Sequence, residues 1–418
     1  MYIKGLNILI LLLASNVISS KNLSLSEIEN IAINNAPELA KSINKENSLL
    51  DLSISESRMP DPKLQIGVIN VPTDTFSLKQ DNMTQIKFGV MQNIPRGDVL
   101  SIKDRQKKLL AESEHYNYLN SKAIILKTVR NEWINLYYWL NALEIINKNL
   151  STFKELIKIS ESIYASGKTN QHDVFQAQLE FSKLENQKII INEQIDETRA
   201  RISEWIGLEN AEKLYPNKLP DWEVKFNINQ LANSILNHPR LIQDNVLVNV
   251  KQQDVKLAKQ DYKPDWNIGA FYSVRSGDFT MSNKHRTDLV GAQLSFDLPF
   301  FTKYKQDKKL TSKLNDLNSA KDNQQIDYKK FKTEVFKKFA QYNKLIKQNK
   351  IYNSQLIPEA KQFAKASLIA YKNNQTDFLT VSRAYITELN TILEGLKIKS
   401  EYNQIEADLL YLYEGNEK

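Results

Sequence analysis

The sequence predicts a mainly α fold with a small β part: long antiparallel helices of coiled-coil type and four short strands, set out as two copies of one plan. Three observations carry this. A short two-faced strand, QIKFGVMQ, stops at Pro95 and Gly97 and gives way to helical periodicity. That periodicity lasts about 65 residues, on the order of 100 Å at about 1.5 Å per residue. The same order of strand, proline and long helix returns later, with Pro299 matching Pro95 at an offset of 204. Glycine and proline number only 11 each in 418 residues, which suits long uninterrupted helices.

Composition narrows the function classes. The 56 Lys and Arg residues, giving a net charge of +7, are spread along the chain with no arginine-rich block beside aromatics. They read as solvated helix faces, and no nucleic-acid partner is expected. There is no cysteine, so the sequence offers no disulfide, no lipid-modified cysteine and no thiolate metal ligand. His115, His172, His238 and His285 are widely separated and form no ligand cluster. A glycine-rich phosphate loop, a GxSxG elbow and His-carboxylate metal spacing are missing, so neither an enzyme nor a cofactor is expected.

Residues 1–20 read as a secretory signal. Lys4 supplies the positive start and Leu6 to Ala14 the apolar core, with Val17 and Ser19, or Ile18 and Ser20, as cleavage positions. That core is shorter than the about 20 residues of a spanning helix. No later segment has 18 consecutive apolar residues, so an exported chain without a transmembrane helix is expected.

The first repeat, 21–212, opens on a helix that Ser24 or Ser26 can cap, with Glu27 or Glu29 completing a capping box. Pro37 interrupts it, and a second helix runs to about Met59 before Pro60 and Pro62. Strands are expected at about 63–71 and 84–92, joined by the polar loop from Pro72 to Asn82. From Val99 to Tyr164 apolar residues fall at three- and four-residue steps, among them Ile125, Val129, Trp133, Leu136, Leu140 and Leu143. The helix turns back at a tip, 164–173, and an antiparallel helix runs from Val174 to about Trp205, with Gly207 as its C-terminal cap. Residues 213–224 read as a linker.

The second repeat, 225–418, keeps this order. Pro239 matches Pro37, and Pro264 and Gly269 match Pro62 and Gly67, all at an offset of 202. Strands are expected at about 266–274 and 290–298, a long helix ending near Tyr371, and a tip at 371–380. There the offset is 207, so Tyr371 falls on Tyr164, Asn374 on Gly167 and Ala384 on Ala177.

Four strands cannot close a barrel, and an open sheet leaves unpaired edges. Strands of about nine to eleven residues match the length that crosses an outer membrane when tilted. One face carries Ile86, Phe88, Val90, Trp266, Ile268, Val290, Ala292, Leu294 and Phe296, the candidate lipid-facing set; the other carries Lys, Gln, Ser, Asn and Gly. In hydrocarbon every backbone group must pair. A head-to-tail homotrimer with a 12-strand barrel meets that demand. The alternative is a soluble sheet capping a periplasmic coiled-coil scaffold.

The tips, about 100 Å from the strands by helix rise, supply the other candidate residues: Tyr164, Gly167, Asn170, Asp173, Tyr371, Asn374 and Asp377. In a closed ring one Asp377 carboxylate per chain lines an aperture that attracts cations. Asp377 also fits as the N-cap of the last helix, and the two roles are compatible. Asp173 and Arg383 can form tip salt bridges.

The opening LSLSEIENIAINNAP, the strand–NIPRG junction and the duplicated tips YASGKTNQHDVFQAQ and YKNNQTDFLTVSRA together resemble the TolC-like outer-membrane efflux channels over essentially the whole mature chain. The resemblance implies a trimer with a 12-strand barrel in the bacterial outer membrane and an α-helical barrel through the periplasm. It also implies tips docked to a periplasmic adaptor protein that is joined to an inner-membrane pump. VPTDTFSLKQDNMTQIKFGVMQNIPRGD is similar to the heavy-metal (cation) efflux branch. The chain departs from the family at the second tip. Asn374 stands where members often carry Gly, and Thr380 and Arg383 where they often carry Asp, leaving Asp377 as the acidic aperture candidate beside them. The function implied is a passive exit duct for an efflux pump; a duct for type I protein secretion has the same sequence features.

Overall fold

The computed structural model describes residues 23–222, 226–278 and 285–413. The expected signal segment lies outside the described residues, as do positions 223–224 of the expected linker. No described helix is long and apolar enough to cross a membrane.

The first half contains α1 (Leu25–Asn35), α2 (Pro37–Glu56), β1 (Lys63–Ile69), β2 (Gln85–Ile94), α3 (Val99–Ala165), α4 (Gln171–Ile206) and α5 (Leu208–Glu212). The second half contains α6 (Ile228–Ser234), a 3-10 turn (Ile235–Asn237), α7 (Pro239–Gln260), β3 (Trp266–Val274) and β4 (Leu289–Phe296). It continues with α8 (Gln306–Ile351), a π turn (Tyr352–Leu356), α9 (Ile357–Lys372) and α10 (Phe378–Tyr413). The expected strands shift slightly: β1 ends at Ile69, where Asn70 turns to φ +57°, and β4 ends at Phe296, ahead of Pro299. Two compact units emerge, each drawing on both halves: described residues 23–36, 125–222 and 340–408 in the first, 37–124, 226–278, 285–339 and 409–413 in the second.

In the first unit Ser24 caps α1, accepting from the Glu27 N–H at 3.3 Å while Glu27 accepts from the Ser24 N–H at 2.7 Å. This capping box fixes where the chain enters the helix. Ile28 and Ala32 are fully buried as α1 packs on α4. Along α4 the buried residues Val174, Ala177, Leu184, Ile191, Ile195, Thr198, Ile202 and Ile206 recur at steps of three, four and seven, a coiled-coil seam. The opposite flank leaves Phe175, Leu179, Ile189 and Ile190 exposed. The described part of the expected linker is packed, not free. Leu214 is fully buried, Trp133 donates Nε1–H to the Lys218 carbonyl at 3.4 Å, and the Arg130 guanidinium lies over the Trp222 ring.

The expected uninterrupted helix ending near Tyr371 is instead broken by the π turn. Pro358 has no N–H to give the carbonyl four residues back, so the ladder must widen just ahead of it. Gly395 on α10 faces this turn. A Cβ there would meet Ile357 Cδ1 at 2.8 Å and Tyr352 Cδ1 at 3.5 Å.

In the second unit His238 caps α7, its Nδ1 accepting from the Arg240 N–H at 3.2 Å, with Pro239 in the first turn. The ring is 1% exposed and packs against Phe331 and Tyr411 at 4.6 and 5.0 Å. Burial pushes its pKa down to about 4. The folded state therefore favours the neutral ring. Its stabilising share is complete above the ordinary value of 6.5 and is lost as pH falls from there through about 4. The gap between the two values corresponds to about 3 kcal/mol. Asp244 opposes this: burial pushes its pKa up to about 6, and it gains as pH falls. Arg240 lies 3.5 Å from Asp244 and 2.8 Å from Asp327, whose carboxyl it holds below the usual range. His238→Asn keeps a capping acceptor and removes the titration. The variant is expected to lose less stability than the wild type between pH 7 and pH 5, by about 1–2 kcal/mol, read from denaturant unfolding at each pH.

Candidate functional site

All four strands form one antiparallel sheet in the order β1-β2-β3-β4. Register places paired residues on a common face: Ile66 opposite Phe88, Phe88 opposite Tyr272, Tyr272 opposite Val290; Ile268 opposite Leu294; Trp266 opposite Phe296. The expected lipid-facing residues thus share one face, and Leu64, Ile66, Val68 and Tyr272 extend it. It is uncovered: Leu64 is 70%, Val290 84% and Leu294 57% exposed. Ile86 is the least exposed of the expected set, being half-buried.

The other face is polar and finely fitted. Lys63, Gln65, Lys87, Asn93, Asn267, Gln293 and Ser295 lie on it. Asn93 donates Nδ2–H to Asn267 Oδ1 at 3.1 Å, and the Lys87 ammonium sits 3.7 Å from the Phe271 ring centroid. Phe271 lies over Gly291, where a Cβ would approach its Cζ to 2.2 Å. The outer edges of β1 and β4 pair with no other strand among the described residues.

The NIPRG junction clamps strand to helix. Arg96 donates its backbone N–H to Asp265 Oδ1 at 2.7 Å and Nη2–H to Asp265 Oδ2 at 2.6 Å, and reaches Asp261 at 3.4 Å. The bond to Asp265 raises the Arg96 pKa further, so its charge is permanent. Gly97 sits at φ +48°, with Gln260 Oε1 only 2.2 Å from the position a Cβ would take. A side chain there would need both a disfavoured backbone and a vacated neighbour.

The two tips share one backbone design. Gly167 (φ +68°) and Asn374 (φ +59°) take the left-handed position that ends α3 and α9. Gly167 N–H donates to the Tyr164 carbonyl and Lys168 N–H to that of Ile163; Asn374 N–H donates to Tyr371 and Gln375 N–H to Ala370. These are the bonds of a Schellman cap, with Asn replacing Gly. Asn170 is the N-cap of α4, and α4 and α10 are both 36 residues long. Val174 and Val381, then Ala177 and Ala384, are buried at matching places.

Side chains distinguish the tips. Asp377 Oδ1 accepts from the Thr380 N–H at 2.9 Å and its Oγ–H at 2.6 Å, capping α10. The Thr380 hydroxyl is the main reason its carboxyl lies below the usual range. Asp377 and Arg383 are exposed, while Thr380 is half-buried. Asp173 accepts from Thr169 and from the Tyr371 hydroxyl, the latter at 3.5 Å, tying the two tips together. Tyr371 is 2% exposed and meets Phe378 edge-on at 5.7 Å, so it holds the tip from inside, whereas Tyr164 is 46% exposed. Sequence reasoning missed Thr169 and Phe378. Thr169 was detectable, since it matches Thr376 at the offset of 207.

No protein-family model and no curated relative matches the sequence. Solved structures do. The outer-membrane channel OprN matches with a TM-score of 0.79 at 15% identity, over 94% of this chain and 90% of that one. The outer membrane protein VceC of Vibrio cholerae matches with 0.79 at 14% identity, over 93% and 95%. CusC, studied for the changes that accompany its folding and transmembrane channel formation, matches with 0.77 at 12% identity, over 94% and 92%. Likeness at such low identity speaks to fold. This chain has the fold of the TolC-like outer-membrane channels.

Proposed function

We propose that three copies of the chain close head to tail into a 12-strand barrel in the bacterial outer membrane, forming the passive exit duct of a tripartite efflux system. One observation carries this: a single open sheet with an exposed apolar face, a polar face behind it and two edges that pair with no other strand among the described residues. Because the four strands alternate in direction, β4 of one copy is antiparallel to β1 of the next, and three copies close without a mismatched edge. The apolar face then meets lipid and the polar face lines a hydrated lumen.

The exposed flank of α4, with Phe175, Leu179, Ile189 and Ile190, supplies the apolar surface that neighbouring copies cover in a periplasmic α-barrel. Equal helix lengths and matching tip bonds support an origin of the chain as a duplicated unit. The tips are the docking points for a periplasmic adaptor and, through it, an inner-membrane pump. The duct performs no chemistry of its own, and the pump supplies the motive force. Asp377, Thr380 and Arg383 are the proposed aperture residues.

Purified in detergent, the protein is expected to run as a heat-sensitive trimer and to conduct ions in a planar bilayer. A monomer that leaves the bilayer silent would overturn the proposal.

A further inference from the structure

Between β4 and α8 the chain displays aromatic rings that neither strand pairing nor helix packing uses. Phe300 is 74%, Phe301 90% and Tyr304 79% exposed. Their backbone is nonetheless held: Phe300 N–H donates to the Leu298 carbonyl at 2.9 Å, and Lys305 and Asp307 N–H to that of Thr302 at 3.1 and 3.0 Å. The junction after β2 has only Arg96, Gly97 and Asp98 between Pro95 and α3. Here FFTKYK separates Pro299 from α8. The extra residues follow the end of the sheet where the Trp266 and Phe296 rings of the apolar face meet at 4.8 Å.

The same segment lines a cavity of about 520 Å³ with Arg96, Asp297, Phe301, Lys305, Gln306 and Lys309. Gln306 is 8% exposed, and its Oε1 has no hydrogen-bond partner among the described residues. Its Nε2 donates to the Asp261 carbonyl at 3.4 Å, which orients the amide. A buried acceptor without a donor leaves a position for a ligand N–H. Asp261 also lines the cavity and holds Lys309 at 2.6 Å and Arg96 at 3.4 Å, which leaves Lys305 as the cation turned to an anionic group. Aromatic rings with lysines are the composition of a membrane–water boundary.

We propose that this cavity holds the headgroup of a glycerophospholipid that carries a protonated amine. Its phosphate rests on Lys305, its amine points to Asp297 and Gln306 Oε1, and its acyl chains run along Phe301 and the apolar face. The inference rests on the sheet lying in a bilayer.

Because the chain has no cysteine, one introduced residue takes a nitroxide label at a unique place. In vesicles of phosphatidylethanolamine, labels on Leu294→Cys and Phe301→Cys are both expected to collide with dissolved oxygen, the latter at headgroup depth. If a water-soluble nickel chelate reaches the Leu294→Cys label freely, the bilayer reading itself fails. If Leu294→Cys is in lipid while Phe301→Cys is shielded from both agents or bathed in water, only the headgroup site is overturned. Native mass spectrometry of the detergent-released trimer then tests the phosphate contact. Lys305→Gln is expected to weaken phosphatidylethanolamine retention about fivefold, the effect of one lysine at a membrane surface, and Lys305→Arg to preserve it. Phosphatidylcholine, whose amine has no N–H, is expected to be retained less than phosphatidylethanolamine. Unchanged retention in Lys305→Gln, or equal retention of the two lipids, would overturn the site.

Discussion

Leu294→Arg is expected to abolish stable assembly in the outer membrane, while Ser295→Arg, one residue along the same strand, assembles normally. Leu294 pairs with Ile268 on the uncovered face and Ser295 with Asn267 on the polar one. An arginine on the lipid face costs about 2–4 kcal/mol near the midplane. The proposed trimer would carry that cost three times, about 6–12 kcal/mol in all, comparable to the whole stability of an ordinary domain. On the polar face the guanidinium meets water and amides. The readout is the yield of heat-sensitive trimer in outer-membrane fractions, and equal losses in the two variants would contradict the assignment of faces.

Gly167→Pro is expected to spare the trimer and remove cross-linking of the cognate adaptor to Tyr164. Proline is locked near φ −65°, whereas Gly167 sits at +68° and donates its N–H to Tyr164 at 2.9 Å. Disrupting that turn costs about 3 kcal/mol locally. The damage stays at the tip because the seam of α4 begins beyond it at Val174. Gly167→Ala separates backbone strain from shape. A Cβ there meets nothing within 4 Å, so only the positive φ is penalised, by about 1 kcal/mol, and cross-linking is expected to persist. Adaptor capture that survives in the proline variant would reject the docking role.

Much of this was legible in the sequence because it depends on local periodicity. Val290, Ala292, Leu294 and Phe296 alternate with Gly291, Gln293 and Ser295, and period two fixes which residues share a face. Ser24 with Glu27, and the left-handed turns at Gly167 and Asn374, follow from capping chemistry and tolerance of positive φ. What stayed hidden depends on tertiary neighbours. Tyr164 and Tyr371 hold matching positions, but only Tyr371 has Phe378 and Asp173 to pack against. Residues 213–224 read as a linker, and nothing local reveals that Trp133 and Arg130 hold the described part of that segment down. The π turn escaped because helical spacing of apolar residues continues through Pro358.

The central claim is that one face of this sheet meets lipid and the other meets water. Single cysteines along β4, probed in vesicles with a membrane-impermeant maleimide, test it most directly. Reaction at positions 291, 293 and 295 with protection at 290, 292, 294 and 296 is the expected pattern. Uniform labelling along the strand, or labelling in the opposite phase, would contradict it.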